Sequence, residues 1–146
     1  MPFGMDEVYG VIADVERYPE FLPWCSRLVV RSREEQDGKS ILTASMTASF
    51  HVVSETFTSR VKLDPAAHAI DVEYIDGPFR SLINTWRLSS DPSGGTVVDF
   101  YIAFTFKNPM LEMLISTVFQ RVVAKLVNAF EERVRILHAT RRSPAT

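Results

Sequence analysis

Apolar side chains in the last third of the chain recur every three or four residues between positions 111 and 137. This spacing is the period of an amphipathic helix, and at about 1.5 Å per residue the predicted helix is roughly 40 Å long. Met110 and Met113 widen the apolar stripe at its start. The stripe is wider than packing alone requires, and it consists of Leu111, Leu114, Ile115, Val118, Phe119, Val122, Val123, Leu126, Val127, Phe130, Val134 and Leu137.

The chain before this helix follows a different period. Residues 5–15 have the spacing of a short amphipathic helix, and Pro19 and Pro23 then indicate a tight turn or one helical turn. From Leu28 onward apolar and polar residues alternate, which predicts an antiparallel sheet with one buried and one solvated face. The first strand begins near Leu28, and the others cover about residues 40–52, 53–63, 70–74, 82–88 and 98–107.

The order of these elements predicts an α+β fold, in which a curved antiparallel sheet of about six strands wraps around the long C-terminal helix. Asp37-Gly38 is typical of a hairpin turn between the first two strands. Asn108 is the expected N-cap of the long helix, with Pro109 at its first position. We expect one domain over residues 1–140 and a frayed tail over residues 141–146.

Composition narrows the classes of function. An apolar fraction of 46% with 23% charged residues is ordinary for a soluble globular domain, and a net charge of −2 gives no general attraction to DNA. The single cysteine, Cys25, excludes an internal disulfide and is typical of a reducing compartment. His51, His68 and His138 share no ligand spacing with Cys25, so we expect no metal site.

No targeting or membrane-spanning segment is expected. The first twenty residues are mainly acidic, unlike a secretory or mitochondrial leader. The longest uncharged apolar run lies within residues 113–120, far short of the about 20 residues that a membrane span needs. The sequence therefore predicts a soluble protein that can still touch a membrane surface.

Inward-facing residues differ in size from strand to strand. The second strand presents Ala44 and Ala48, whereas the sixth presents Phe100, Phe104 and Phe106. Small residues opposite large ones are consistent with ordinary close packing. Together with the wide helical stripe, they are equally consistent with an apolar ligand cavity between sheet and helix.

Glu55 has the same strand parity as Val53 and Phe57, so its side chain is predicted to point inward. An unpaired buried carboxylate is costly, and it either becomes protonated or finds a cation. The alternative is a local bulge that returns Glu55 to solvent, or to Arg60 or Arg80. Both interpretations stay open at this point.

Asn84 shares a face with Trp86 and is a candidate donor to a ligand carbonyl, or else a structural amide with its hydrogen bonds satisfied. Trp86 and Tyr74 are expected in the core with their polar atoms bonded. We find no catalytic arrangement: there is no phosphate-binding glycine loop, and Cys25 has no histidine partner at a recognisable spacing.

Four segments resemble the coenzyme Q-binding START-like family, in family order and over nearly the whole chain. They are DVERYPEFLPWC at residues 14–25, ETFTSRV at 55–61, DGPFRSL at 76–82 with Trp86, and FTFKNP at 104–109. The resemblance implies the helix-grip fold. It also implies one of two roles, because the family includes mitochondrial ubiquinone-binding proteins needed for respiration and bacterial proteins described as ribosome-association toxins.

One departure from the family concerns the start of the chain. Members usually begin with a strand before the first short helix, and here only residues 1–4 precede that helix. Either the start was assigned late or the first strand is missing, and in the second case one sheet edge is left open for pairing with another chain. The absence of the family's mitochondrial leader favours a bacterial source.

The resemblance implies a non-enzymatic protein that binds ubiquinone, or a similar isoprenoid lipid, and supports respiratory electron transport or quinone biosynthesis. Glu55 and Asn84 are the candidate head-group contacts. The predicted cavity contacts are Phe57, Trp86, Phe100, Ile102, Phe104, Val118, Val122 and Leu126. The predicted cavity mouth is Phe21, Pro23, Trp24, Pro78 and Phe79, with Trp24 and Phe79 able to touch a membrane unless these aromatics merely close the core.

Two alternatives belong to other classes. A protein that binds the large ribosomal subunit and blocks subunit joining would use the basic cluster Arg133, Arg135, Arg141 and Arg142. An enzyme like the aromatase/cyclases would need Glu55, or another buried acid, with a perturbed pKa. The expected location is the cytoplasm with peripheral contact to a bacterial inner membrane, or the mitochondrial inner membrane in a eukaryote.

Overall fold

The computed structural model describes residues 1–50 and 53–142, and the side chains of residues 1–49 and 53–140. Short helices come first, the strands follow, and a long helix ends the described chain. The elements are α1 (Met5–Ala13), a 3-10 turn (Val15–Arg17), α2 (Tyr18–Phe21), β1 (Cys25–Gln36), β2 (Lys39–Phe50), β3 (Val53–Asp64), β4 (Ala69–Asp76), β5 (Phe79–Ser90), β6 (Thr96–Phe106) and α3 (Pro109–Arg142).

The strands form one antiparallel sheet of six, in which each strand pairs with the next one along the chain. Asp37 and Gly38 join β1 to β2 with φ angles of 53° and 78°. Two consecutive positive φ angles define the tight hairpin turn that an Asp-Gly pair favours. The predicted sheet, hairpin and terminal helix are thus confirmed.

The sheet is curved, with its apolar face turned toward α3. Irregular positions in the strand pairing bend and twist the strands that contain them. They fall in β1, β3 and β5, between Cys25 and Arg27, Val30 and Ser32, Thr58 and Ser59, and Phe79 and Ser81.

The start of α3 is held by the cap that the sequence predicts. The side-chain oxygen of Asn108 accepts a hydrogen bond from the backbone nitrogen of Met110 at 2.8 Å, and Pro109 is the first helical residue. The carboxylate of Glu112 accepts from the backbone nitrogen of Phe106 at 2.8 Å. The helix therefore leaves the end of β6 in a fixed direction.

The tightest packing surrounds the C-terminal half of α3. Phe130 and Val134 are each 1% exposed, and Val8 and Ile12 of α1 are fully buried in the same core. The Phe130 ring makes an edge contact with Tyr18 at 5.3 Å between ring centres. This half of the helix is thus clamped between the short helices and the sheet.

The first residues of the chain lie beside the start of β6. The amino group of Met1 donates to the carbonyl oxygen of Thr96 at 2.8 Å, and the Thr96 nitrogen donates to the Met1 carbonyl oxygen at 2.8 Å. The Thr96 hydroxyl also donates to the Phe3 carbonyl oxygen at 2.6 Å. Among the described strands, β6 pairs only with β5, and residues 1–3 bond to its first residue.

Several boundaries differ from the sequence prediction. The first helix ends at Ala13 because Asp14 leaves the helical region, with φ −83° and ψ 68°. β1 begins at Cys25 and β5 at Phe79, each three residues earlier than predicted. α3 extends into the predicted tail as far as Arg142, and the rest of that tail lies outside the described residues, as do positions 51 and 52.

Candidate functional site

An apolar cavity of about 220 Å³ lies between the concave face of the sheet and α3. It is larger than the roughly 150 Å³ apolar cavity that accommodates benzene in an engineered protein. Its walls come from α2, every strand of the sheet and the first two thirds of α3. The space is therefore enclosed by the fold as a whole, and one face of it is the long helix.

The cavity exists because small and large residues do not fill the gap under the first half of α3. Ala44 and Ala48 leave space on the β2 wall, opposite the phenylalanines of β6. Leu111 and Ile115 cover the space from above while remaining partly exposed. The predicted cavity between sheet and helix is present, and close packing is limited to the other half of the helix.

Most of the predicted ligand contacts come together on the cavity wall. That these side chains line one cavity is a feature of the structure. That they contact a ligand stays a prediction. The lining includes Phe57, Trp86, Phe100, Ile102, Phe104, Val122 and Leu126.

The apolar stripe of α3 predicted that Val118 lines the cavity, and this is wrong. It is partly buried but does not line the cavity, whereas Ile115, Phe119 and Val122 do. These three follow the four- and three-residue steps of one helical face, and Val118 falls on its flank. The Phe119 ring contacts Phe104 on β6 at 5.4 Å between centres, which closes the wall at this level.

Met110 and Met113 do not join the inward face. They are 79% and 71% exposed, on the first turns of α3 beside the cavity-lining Leu111. The apolar stripe is therefore wide because part of it faces solvent. The exposed part lies next to the cavity and was not predicted as a surface.

Phe79 lines the cavity but is only 9% exposed, so it does not face a membrane, and the alternative that this aromatic ring closes the core describes it better. Its ring contacts Phe57 at 5.2 Å and stacks on Phe106 at 4.7 Å between centres. The preceding Gly77 has φ 145°, and a Cβ there would lie 2.6 Å from the Cβ of Phe57. This close approach pulls the turn inward, and Pro78 is partly buried outside the lining.

Of the remaining residues predicted at the cavity mouth, one lines the cavity and two do not. Trp24 is partly exposed and lines the cavity, whereas Phe21 and Pro23 do not line it. Phe21 instead contacts Phe130 at 5.3 Å between ring centres, and the Arg133 guanidinium lies 5.1 Å from the centre of the Phe21 ring. Phe21 therefore belongs to the clamp at the far end of the helix.

Glu55 points into the cavity, as its strand parity predicts. The β2–β3 pairing is regular at this position, with Ala48 directly opposite, so the bulge considered from the sequence is absent here. Arg60 pairs instead with Glu73 at 3.2 Å. Among the described residues Glu55 makes neither an ion pair nor a hydrogen bond, and it is the one carboxylate on the described cavity wall.

Asn84 lines the cavity but its amide is already bonded to the protein. Its nitrogen donates to the Tyr101 carbonyl oxygen at 2.9 Å, and its oxygen accepts from the Trp86 indole nitrogen at 3.1 Å. The structural alternative for Asn84 is therefore the better description. The Tyr74 hydroxyl is also satisfied, because it accepts from the Phe79 nitrogen at 3.1 Å.

Ser59 is a cavity residue that the sequence analysis missed. It is 4% exposed, and within the described part of the chain its hydroxyl has no hydrogen-bond partner. It lies two residues from both Phe57 and Val61, which were predicted to face inward, so strand parity contained the signal. Its unbonded state could be recognised only from the folded arrangement.

Burial suppresses ionisation of Tyr18, which lines the cavity, and of Cys25, which is buried outside the lining. It raises the pKa of the Cys25 thiol to about 11, and it raises the pKa of the Tyr18 hydroxyl well above its usual value. Tyr18 donates its hydroxyl hydrogen to the Ile12 carbonyl oxygen. No group of three His, Cys, Asp or Glu side chains in the described residues is arranged to hold a metal ion.

A curved antiparallel sheet closed by one long helix over an apolar cavity defines a START-like, helix-grip protein. Residues 1–131 match the family model described as polyketide cyclase / dehydrase and lipid transport. The chain belongs to this family, and the resemblance stated from the four sequence segments is confirmed.

Proteins with different names are similar to this chain. The ribosome association toxin RatA of Escherichia coli K12 is 30% identical over 141 residues, covering 97% of this chain and 86% of the relative. Coenzyme Q-binding protein COQ10 homolog B, mitochondrial, of Xenopus laevis is 31% identical over 146 residues, covering 97% of this chain and 58% of the relative. The solution structure of an 18 kDa Caulobacter crescentus protein matches with TM-score 0.81 and 32% identity, covering 95% and 93% of the two chains.

α3 does not have the character of a membrane span. No helix in the described residues is both long enough and apolar enough to cross a bilayer.

Proposed function

We propose that this chain is a non-enzymatic binding protein for ubiquinone or a similar isoprenoid lipid, supporting respiratory electron transport or quinone biosynthesis. The observation that carries the proposal is the apolar cavity of about 220 Å³ between the sheet and α3. The name of the Xenopus relative, a coenzyme Q-binding protein, supports the same class of ligand.

The character of the wall suits a lipid better than a polar metabolite. Aromatic rings from β5, β6 and α3 meet there, including Trp86 and Phe100 at 4.5 Å between ring centres. Each CH₂ group that leaves water contributes about 0.8 kcal/mol, so one five-carbon isoprene unit contributes about 4 kcal/mol. Partial burial of a long tail is therefore enough for useful affinity.

Entry of such a ligand requires contact with a lipid surface. Met110 and Met113 expose apolar side chains on the first turns of α3, beside Leu111 of the cavity wall. Exposed methionines adapt to irregular apolar surfaces. The protein would therefore contact a membrane surface peripherally, through the start of α3.

Tryptophan fluorescence tests the proposal directly, because both tryptophans of the chain, Trp24 and Trp86, line the cavity. Protein stripped of lipid by solvent extraction is titrated with decylubiquinone, and the extract is searched for quinone by mass spectrometry. Saturable quenching is expected, with Trp24→Phe and Trp86→Phe each retaining part of the signal. Absence of both quenching and extractable quinone contradicts the proposal.

A ribosome-binding role is the second candidate, and the name of the E. coli relative favours it. The described part of the basic cluster offers little free charge for RNA. Arg133 pairs with Glu20 at 3.0 Å, and Arg135 pairs with Glu131 at 3.7 Å and with Glu132. The side chains of positions 141 and 142 lie outside the described residues.

Co-sedimentation with purified large ribosomal subunits at low salt distinguishes the two roles. Salt-sensitive binding by the lipid-free protein would support the ribosomal role. Failure to co-sediment at low salt would remove it.

An enzymatic role like that of the cyclases is less well supported. Glu55 is the one carboxylate on the described wall, and no histidine, lysine, arginine or cysteine joins it there. General acid–base catalysis needs groups placed to exchange protons with a substrate. A single unassisted carboxylate at the side of an apolar cavity fits a binding site better.

A further inference from the structure

The Ser59 hydroxyl is buried and, in the described part of the chain, unbonded, unlike the neighbouring hydroxyls on the outer face of the same strands. On the outer face of β2 and β3 these groups bond in pairs: Ser45 with Thr58 at 2.8 Å, and Thr47 with Thr56 at 2.8 Å. On the inner face, Ser59 is 4% exposed and its Oγ has no partner within the described residues. These four outer hydroxyls are therefore bonded, whereas this inner one is not.

An unbonded buried hydroxyl is unfavourable in the ligand-free protein. Leaving such a group without a partner costs about 1–3 kcal/mol. A valine would fit a half-buried strand better than serine does. Packing alone therefore does not explain a serine at position 59. A hydrogen-bond partner that enters the cavity explains it better.

The surroundings of Ser59 leave room for such a partner. Ala44 lies directly opposite on β2, and its methyl group is the smallest side chain that an L-residue can place there. Phe57 and Val61, also on the wall, flank Ser59 along β3 and offer no competing hydrogen bond. A ligand oxygen that approaches past Ala44 meets the hydroxyl between the apolar side chains of Phe57 and Val61.

Ser59 also lies deep in the cavity. It is four residues further along β3 than Glu55, or about 13 Å at about 3.3 Å per residue. Beyond it are the buried Trp86 and Phe130 of the cavity floor, whereas Glu55 and Leu111 at the other end are partly exposed. An oxygen held at Ser59 would therefore be the part of the ligand that entered first.

We propose that Ser59 is the specificity-determining hydrogen-bond donor of the cavity, holding the carbonyl oxygen of a quinone head group at depth while the tail runs past Glu55 toward the start of α3. This inference rests on the proposed function and adds the orientation of the ligand. The reduced head group, a phenol, uses the same hydroxyl as a donor or an acceptor. Ligands without an oxygen at this end lose the interaction.

The test compares two matched probes and two matched serines. Decylubiquinone and decylbenzene are titrated into lipid-stripped protein; they share a ten-carbon tail, but decylbenzene lacks the carbonyl, methoxy and methyl groups of the quinone ring. The variants are Ser59→Ala and Ser45→Ala. Ser45 is an ideal control because it is also 4% exposed, but its hydroxyl accepts from the Arg31 Nε at 2.8 Å and bonds Thr58.

We expect Ser59→Ala to weaken decylubiquinone binding about tenfold, the effect of one buried hydrogen bond, and to leave decylbenzene binding unchanged. The ligand-free Ser59→Ala protein should melt at the same temperature as the wild type or higher, because no internal bond is lost. Ser45→Ala should melt lower and bind both probes normally. Ser59→Val gives a second reading if alanine leaves space for water.

The outcomes separate the inference from the proposed function. Unchanged decylubiquinone affinity in Ser59→Ala, or a lowered melting temperature like that of Ser45→Ala, overturns the role of Ser59 while lipid binding stands. Equal affinity of the wild type for both probes has the same meaning. Binding of neither probe by the wild type overturns the proposed function itself.

Discussion

The indole nitrogen of Trp86 donates a hydrogen bond to the side-chain oxygen of Asn84, 3.1 Å away and two residues earlier on β5. Both side chains line the cavity, and Asn84 is in turn tied to β6 through the Tyr101 carbonyl oxygen. The pair fixes the orientation of a large ring in the cavity floor. It also removes the amide from the set of groups available to a ligand.

Asn84→Ala should destabilise the protein by about 1–2 kcal/mol, because the buried indole nitrogen loses its acceptor. Urea unfolding monitored by circular dichroism measures the change. Ser81→Ala on the same strand is the control, since its hydroxyl bonds Thr105 at an exposed position and its loss should cost less than about 0.5 kcal/mol. Equal stability of the two variants would contradict a structural role for Asn84.

Filling the cavity should block the ligand without harming the fold. Ala44→Leu and Ala48→Leu place added carbons in the space under α3, so decylubiquinone quenching should fall at least tenfold in each. Thr43→Leu places the same leucine side chain on the opposite face of β2, outside the cavity, and should bind normally. Retained quenching in both Ala→Leu variants, with melting temperatures near that of the wild type, would show that the ligand lies elsewhere.

Phe130→Ala should be among the most damaging single substitutions, at about 3–5 kcal/mol, because it removes a 1% exposed ring that contacts Tyr18 and Trp86 and enlarges the cavity. Met113→Ala on the same helix is 71% exposed and should change the unfolding free energy by less than about 0.5 kcal/mol. Chemical denaturation compares them. A small loss at Phe130 would mean that the far half of α3 is not clamped as described.

Alkaline pH should weaken the fold through Cys25. Burial raises its pKa from 9.0 to about 11, so the unfolded chain ionises first as the pH rises. The stabilising contribution is full below pH 9.0 and is lost progressively as the pH rises toward about 11. Cys25→Ala should flatten the stability profile between these values, which urea titrations at several pH values detect; an unchanged slope would contradict the assignment.

Exchange of quinone with vesicles should depend on the exposed methionines. The double substitution of Met110→Ser and Met113→Ser should slow transfer of decylubiquinone from phospholipid vesicles several-fold, with the equilibrium affinity in solution unchanged. Ile136→Ser, also exposed but on the clamped half of α3, is the control for lost apolar surface. Equal transfer rates in the two proteins would exclude this end of the helix as the lipid contact.

Much of the architecture follows from local patterns. The Asp37-Gly38 turn, the Asn108 cap and the inward parity of Glu55 are each determined by a few neighbouring residues, and the structure has all three. The alternation along β3 even contained Ser59. The alternation could not show whether the Ser59 hydroxyl has a hydrogen-bond partner, because that depends on every element around it.

The errors arose where the sequence pattern does not determine how a helix is rotated about its axis or how deeply a side chain is buried. A stripe as wide as that of α3 does not say whether Val118 or Phe119 faces the sheet, because both belong to it. Phe79 follows a Gly-Pro turn and so resembles a loop residue, yet the absence of a Gly77 side chain lets the turn close on Phe57. These positions depend on contacts between elements far apart in the chain.

The strands follow one another across the sheet in the order of the sequence, and each joins its neighbour by a short connection. Pairings of this kind close small loops, so the entropy of ordering the chain is spread over many small steps. The two ends of the chain meet only when α3 reaches α1, where the His138 ring nitrogen lies 2.6 Å from the Glu7 carboxylate. We therefore expect the sheet to assemble first and the docking of the long helix to come last, so that a nascent chain exposes its apolar concave surface until α3 has been made.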